Sequence, residues 1–140
     1  MNTNKVGINN ITLGCIYISI AIALSSVGAH ALDRILPLRE LDAFKTATHY
    51  QILHAFALII IGILQLQIKQ AKSLSNVAIM FQIAMLFFCG GCYLFALTSS
   101  TTIAYAVPIG GFLFIFTWIF MAVKCFKLKN AIGDQTGSEN

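Results

Sequence analysis

The chain alternates long apolar runs with short polar connections. Four runs of about 20 residues carry almost no charge, and they cover roughly residues 11–31, 50–68, 77–97 and 103–123. At about 1.5 Å per residue, a run of this length crosses the ~30 Å of hydrocarbon in a bilayer. A chain in lipid must satisfy its own backbone hydrogen bonds, which favours helices, and the alternating pattern of membrane β-strands is absent. The pattern predicts an all-α integral membrane four-helix bundle that forms a single domain.

The connection between the first two runs is predicted to be an amphipathic interfacial helix over about residues 37–49. Pro37 suits the first turn of a helix, and Glu40 and Asp42 lie near its positively polarised end. Residues that suit a buried helix face recur at spacings of three and four: Leu38, Leu41, Ala43, Phe44, Ala47 and Thr48. We expect this helix to bend into the second span or to run straight into it. At the other end of the chain, residues 130–140 are predicted to form a polar tail.

Composition agrees with a membrane location. The chain is 58% hydrophobic and only 10% charged, whereas soluble domains carry about 25% charged residues. Its mean hydropathy is +0.81. The net charge of +4 does not point to nucleic acid, because the basic residues lie at the ends of the apolar runs and not among exposed aromatic residues. The lipid bilayer is therefore the first partner that the sequence predicts.

The basic residues also predict an orientation. One side of the membrane would collect six of them: Lys5, Lys69, Lys72, Lys124, Lys127 and Lys129. The other side would collect three: Arg34, Arg39 and Lys45. Lysine and arginine are enriched in cytoplasmic loops, so we expect both termini to lie in the cytoplasm.

Polar side chains gather where the second span begins, in the stretch HYQILHAF. Tyr50, Gln51 and His54 are three and four residues apart and therefore share one helix face. The same face continues deeper into the membrane through Leu58, Ile61 and Gln65. His30 ends the first span on the same side of the membrane, so we expect it to meet His54. Polar groups inside a membrane are rare and usually face the interior of the bundle.

This cluster of His30, Tyr50, Gln51 and His54 has two interpretations. It either binds a ligand, or it fixes the packing of the first two spans through hydrogen bonds. A metal is not expected, because structural zinc has four ligands and catalytic zinc three plus water. Two histidines on different helices could hold a haem, but the small residues near His30 leave little room for one. The sequence therefore predicts neither a metal nor another cofactor.

No residues suggest catalysis. Cys89 and Cys92 form a C-x-x-C pattern, but they lie in the middle of a span, where a buried thiol is inert and packs as a small apolar side chain. The sequence pairs no nucleophile with a base, and a membrane enzyme that used His54 as base would lack a partner for it. We therefore expect that the protein is not an enzyme.

Small residues are expected to let the helices approach closely. Ala21, Ser25 and Ala29 follow a four-residue spacing in the first span. The other candidate helix-packing residues are Gly28, Gly90, Gly91, Gly110 and Gly111.

Four stretches in order resemble the YgdD/YwdK family of small bacterial inner-membrane proteins. They are SSVGAHAL, FKTATHYQILHAFAL, GGCYLFALTSS and VPIGGFLFIFTWIFMA, within roughly residues 10–125. The resemblance implies four helices and an inner-membrane location, but no activity, because the family is uncharacterised. The family usually has serine and an apolar residue where this chain has Cys89 and Cys92, which further weakens a redox role.

We expect a non-catalytic protein that binds a lipid, a small molecule or a larger membrane complex. Further copies of the chain are another candidate partner. The alternative is an oligomeric channel or small-molecule transporter, although the spans carry no charge and no inverted repeat is evident.

Overall fold

The protein is an all-α bundle of four membrane-length helices, seen here in a computed structural model that describes residues 3–137. Its α-helices are α1 (Thr3–His30), α2 (Leu38–Gln67), α3 (Ser75–Thr98), the single turn α4 (Thr101–Ala104) and α5 (Ala106–Gly137). Two 3₁₀ segments, Leu32–Arg34 and Lys69–Leu74, make the first two connections. Four of the helical stretches are long and apolar enough to cross a membrane. The predicted fold class is confirmed.

The helices are longer than the apolar runs. The segment predicted as an interfacial helix is the first part of α2, which continues from Leu38 to Gln67 without a break. Residues 38–61 contain neither proline nor glycine, so nothing in them interrupts the helix. Its 30 residues extend for about 45 Å, more than the ~30 Å of hydrocarbon, so α2 projects beyond the membrane. Similarly, α5 reaches Gly137, within the predicted polar tail, and residues 138–140 lie outside the described residues.

The helices pack mainly in chain order, α1 on α2, α2 on α3 and α3 on α5. The most apolar windows of α2 and α3 are 50% and 44% buried, against 17% and 22% for α1 and the last span. The two middle helices therefore form the centre of the bundle. The outer two present broad apolar faces, which suits a surrounding of lipid.

A stripe of small residues attaches α1 to α2. Gly7, Gly14, Ala21 and Gly28 are buried and recur at every seventh position, a period that suits left-handed helix packing. The approach is close at both Gly7 and Gly14, where an added Cβ would lie 2.8 Å from the carbonyl oxygens of Gly62 and Ala55 respectively. We call these four residues the seven-residue stripe.

The four-residue spacing expected in the first span is wrong. Of its members, Ala21 is fully buried, whereas Ser25 and Ala29 are exposed. The reason is geometric: helices that cross at a small left-handed angle keep a 3.5-residue period in contact, and a four-residue spacing leaves that face. Gly28 does pack as expected, because an added Cβ would lie 3.1 Å from the ring of Phe44.

The glycines of the last two spans differ in how closely they approach another helix. Gly110 lies against the backbone of Phe88, where an added Cβ would be 2.7 Å from the Phe88 Cα, and Gly91 lies against Val107. Both glycines therefore allow α3 and α5 to approach. An added Cβ on Gly111 would make only ordinary contact with the ring of Phe88, at 3.7 Å. At Gly90 it would meet no side chain closer than Leu86 at 4.0 Å, so Gly90 faces open space and not a helix.

Candidate functional site

The Gln51 side chain joins three helices. Its Nε2 donates to the backbone oxygen of Tyr17 on α1 at 2.9 Å, and its Oε1 accepts from the hydroxyl of Tyr93 on α3 at 2.9 Å. Gln51 is only 7% exposed, so these bonds replace water that the side chain cannot reach. Of the four predicted cluster residues, Gln51 makes the most direct connection between helices.

A second bridge lies near the end of α2. Asn10 Nδ2 donates to Gln65 Oε1 at 2.9 Å, and Gln65 Nε2 donates to Ser75 Oγ at 3.1 Å. It again joins α1, α2 and α3. Gln51 and Gln65 are fourteen residues apart, close to four helical turns, and so face the same way. Sequence reasoning placed Gln65 on this face but did not identify Asn10 and Ser75, whose partners lie on other helices.

His54 uses both of its ring nitrogens within the protein. Nδ1 lies 2.8 Å from the backbone oxygen of Tyr50, and the indole Nε1 of Trp118 donates to Nε2 at 3.3 Å. A carbonyl only accepts and an indole N–H only donates, so these contacts place the proton on Nδ1 and leave Nε2 as the acceptor. The ring is 2% exposed and stacks on Phe114 with centroids 3.5 Å apart. This arrangement leaves no free nitrogen for a metal or a substrate proton.

Tyr50 belongs to the same aromatic cluster. Its ring centroid lies 4.7 Å from that of Phe88 and 5.9 Å from that of His54. The side chain is 38% exposed, so it forms the rim of the cluster and not its centre.

His30 does not meet His54, and this prediction is wrong. His30 is exposed at the end of α1, whereas Gln51, one turn above His54, is level with Tyr17. Thirteen residues separate Tyr17 from His30, about 20 Å along the helix axis. The expectation failed because α2 begins at Leu38, well before the predicted start of the span, which carries Gln51 and His54 down into the bundle.

The cysteines make no disulfide. Cys89 and Cys92 are buried, and both they and Cys15 and Cys125 are free. Within residues 3–137 no group of three or more histidine, cysteine, aspartate or glutamate side chains is placed to hold a metal ion.

A cavity of about 240 Å³ lies between α1 and α3, with the Gln51 side chain of α2 among its lining. We call it the α1–α3 groove, and its lining residues are Tyr17, Ile20, Gln51, Gln82, Met85, Leu86, Cys89, Gly90 and Tyr93. Two of these, Ile20 and Leu86, are 46% and 70% exposed, so the groove opens sideways into the surroundings of the helices. A molecule dissolved in the bilayer could therefore enter it.

A second cavity of about 330 Å³ lies beside His54 and is bounded by Tyr50, Phe88, Phe114 and Trp118. Its lining is largely aromatic, and its histidine is already bonded on both nitrogens. Of the two cavities, the α1–α3 groove has more polar side chains in its lining, with Tyr17, Gln51, Gln82 and Tyr93.

The known proteins that this chain resembles are named as membrane proteins. The family model "Protein of unknown function (DUF423)" matches residues 24–111. A UPF0382 membrane protein of Staphylococcus saprophyticus is 32% identical over 118 residues, which cover 84% of this chain and 97% of that protein. The UPF0382 membrane protein YwdK of Bacillus subtilis is 27% identical over 84% of this chain and 95% of its own. For the UPF0382 inner membrane protein YgdD of Escherichia coli, the identity is 29% and the shares are 79% and 83%. No solved structure matches the chain.

Proposed function

This chain belongs to the DUF423 family of membrane proteins, and we propose that it is a non-catalytic binding protein whose ligand enters the α1–α3 groove from the lipid. The resemblance to YwdK and YgdD in the sequence is thereby confirmed. The observation that carries the proposal is the groove itself: a sideways-opening cavity with apolar walls and the polar side chains of Gln51 and Tyr93. Small-molecule sites typically combine mostly apolar walls with a few placed polar groups.

The hydrogen bonds of His54 support a non-catalytic role. A general base needs a nitrogen within reach of the proton that it removes. Both nitrogens of His54 are bonded inside the protein, and the apolar runs carry no aspartate or glutamate that would serve instead. Under this proposal His54 and Trp118 hold α2 against α5, and the binding chemistry takes place elsewhere.

We further propose that the protein lies in the bacterial inner membrane with both termini in the cytoplasm. The relative YgdD is named an inner membrane protein. Four spans return the chain to the side on which it began, and the excess of lysine and arginine lies at that end.

Native mass spectrometry of protein extracted gently from its own membrane tests the proposal. We expect a reproducible extra mass on the wild-type chain and its loss in Gly90→Leu. Gly90 lines the groove, and its backbone leaves room for a side chain, so the leucine should fill the groove without disturbing the helices.

The matched control is Leu94→Phe. Leu94 is 53% exposed on the same helix and lines not the α1–α3 groove but a neighbouring cavity that Gly90 also lines, so this variant should keep the extra mass. A bare wild-type chain, or a mass that Gly90→Leu retains, would argue against the groove as the binding site.

A further inference from the structure

The geometry points to an uncharged lipid with a hydroxyl head group as the ligand of the α1–α3 groove. The hydroxyl would lie between Tyr17, Gln51 and Tyr93, and the hydrocarbon chain would run along α3 towards Gln82. This inference rests on the proposed function and names the ligand class of the same site.

The lining of the groove excludes a charged head group. Tyrosine, glutamine, cysteine, glycine and apolar residues line it, and no aspartate, glutamate, lysine, arginine or histidine is among them. A phosphate or ammonium group would therefore enter a region of low dielectric without a counter-charge, which is strongly unfavourable. An uncharged head group avoids this penalty.

The polar atoms of the groove retain both a donor and an acceptor. Tyr93 gives its hydroxyl proton to Gln51, so its oxygen can still accept. Gln51 Nε2 has two protons and uses one for the Tyr17 carbonyl. The hydroxyl of Tyr17 makes no hydrogen bond to any residue among those described. A ligand hydroxyl both donates and accepts, and so it can use these groups together.

The polar groups of the groove lie mainly at one end. Gln51 and Tyr93 meet there, and Tyr93 is five residues before the end of α3 at Thr98, or about 8 Å. On α1 the same level, at Tyr17, lies about 20 Å from the end at His30, so the head group would lie within the bundle, where an uncharged group is favoured over a charged one. The Gln82 amide lies at the other end and donates one proton to the Ala78 carbonyl of its own helix.

The groove has the direction and size of a lipid chain. Its lining on α3 extends from Gln82 to Tyr93, eleven residues or about 16 Å parallel to the spans. Between them lie Met85, Leu86 and Cys89, which offer apolar contact. The volume of about 240 Å³ is below the ~300 Å³ of a typical small-molecule pocket, so the groove would hold one chain while the rest of the lipid stays in the bilayer.

The test uses the full-length protein in nanodiscs that contain one of three lipids with the same acyl chains. These are a 1,2-diacylglycerol, its 3-O-acetyl derivative, which lacks the free hydroxyl, and phosphatidic acid, which carries a charge. Native mass spectrometry measures the bound fraction of each. We expect the diacylglycerol to bind best, and Tyr17→Phe to weaken it by about two- to tenfold, the worth of one hydrogen bond.

The variant separates binding from folding. Tyr17→Phe removes a hydroxyl that has no partner in the described protein, so thermal unfolding should be unchanged. Equal or tighter binding of phosphatidic acid or of the acetyl derivative, lost in Gly90→Leu, would overturn the inference and leave the proposed function intact. Two results together would refute both the ligand class and the proposed function. In one, Gly90→Leu abolishes the binding of none of the three lipids. In the other, wild-type protein from its own membrane carries no extra mass.

Discussion

At the residue scale, the environment of His54 shows how a polar side chain is accommodated inside the bundle. Its two nitrogens bond Tyr50 and Trp118, and its ring lies on Phe114. A histidine at this depth would be a candidate active-site residue from sequence alone. The structure instead gives it the contacts of a packing residue.

We predict energetic coupling between His54 and Trp118. Trp118→Phe removes the indole N–H that bonds Nε2, and His54→Phe removes the nitrogen while keeping a ring against Phe114. In a double-mutant cycle the two unfolding free energies in detergent should be non-additive by about 0.6 kcal/mol, the average for hydrogen bonds between membrane helices, and by no more than about 1.7 kcal/mol.

His30 provides the matched control for this cycle. It lies about 20 Å from Gln51 along the helix axis, so His30→Ala and His54→Phe should add within about 0.3–0.5 kcal/mol. Coupling between the two histidines, or additivity between His54 and Trp118, would contradict the geometry of the cluster.

The two tyrosines of the groove should differ in their effect on stability. Tyr93→Phe removes the donor to Gln51 and should lower the free energy of unfolding by about 1 kcal/mol. Tyr17→Phe should leave the free energy unchanged, because Gln51 bonds the Tyr17 backbone and not its hydroxyl. Thermal or denaturant unfolding in detergent measures both, and equal effects of the two substitutions would count against the described Gln51 bridge.

At the element scale, α1 is attached to α2 by close backbone approach and two side-chain bridges. The seven-residue stripe brings the helices together, and the amides of Gln51 and Gln65 bond across to α1 at Tyr17 and Asn10. Without a hydrophobic driving force between helices in lipid, such packing and hydrogen bonds supply the attraction.

Alanine should therefore destabilise the protein at glycines where two helices are in close contact, and it should have little effect at a glycine that faces open space. In Gly62→Ala the new Cβ would lie 2.6 Å from the Gly7 carbonyl oxygen, and in Gly110→Ala it would meet the backbone of Phe88. We expect each substitution to lower the free energy of unfolding by about 1–3 kcal/mol.

Gly90→Ala is the control, because its Cβ would meet nothing closer than 4.0 Å. It should be neutral or stabilising by about 0.5–1 kcal/mol, since alanine favours helix over glycine. Unfolding in detergent compares the three variants, and a loss of stability in Gly90→Ala as large as in Gly62→Ala would contradict the described packing.

The sequence predicted the helices better than it predicted which side chains on different helices contact each other. Four spans followed from length and hydropathy, because a membrane accepts little else, and the shared face of Gln51 and His54 followed from helical spacing. The partners Tyr93 and Trp118 did not follow, since they depend on which helices meet and at what level. The seven-residue stripe is visible in the sequence as a period of small residues, whereas the predicted four-residue spacing is wrong because Ser25 and Ala29 are exposed.

At the scale of the whole molecule, the orientation in the membrane can be measured directly. Alkaline phosphatase is active only after export, so a fusion at the C-terminus should be inactive. An insertion in the connection of α1 and α2, near the exposed pair Asp33 and Lys45, should be active. The opposite pattern would place both termini outside the cytoplasm, and the orientation predicted from the charge distribution would then be wrong.

We propose that the α1–α3 groove selects a lipid from the membrane around it. Ile20 lines the groove, whereas Ile22 is 59% exposed on α1 and lines none of the described cavities. The most direct test is photocrosslinking in living cells, with p-benzoylphenylalanine at Ile20 or at Ile22, followed by mass spectrometry of the captured lipids. We predict that Ile20 captures one uncharged lipid class far above its abundance, while Ile22 captures lipids in proportion to the bilayer. The same mixture of captured lipids at both positions would show that the groove does not select a lipid.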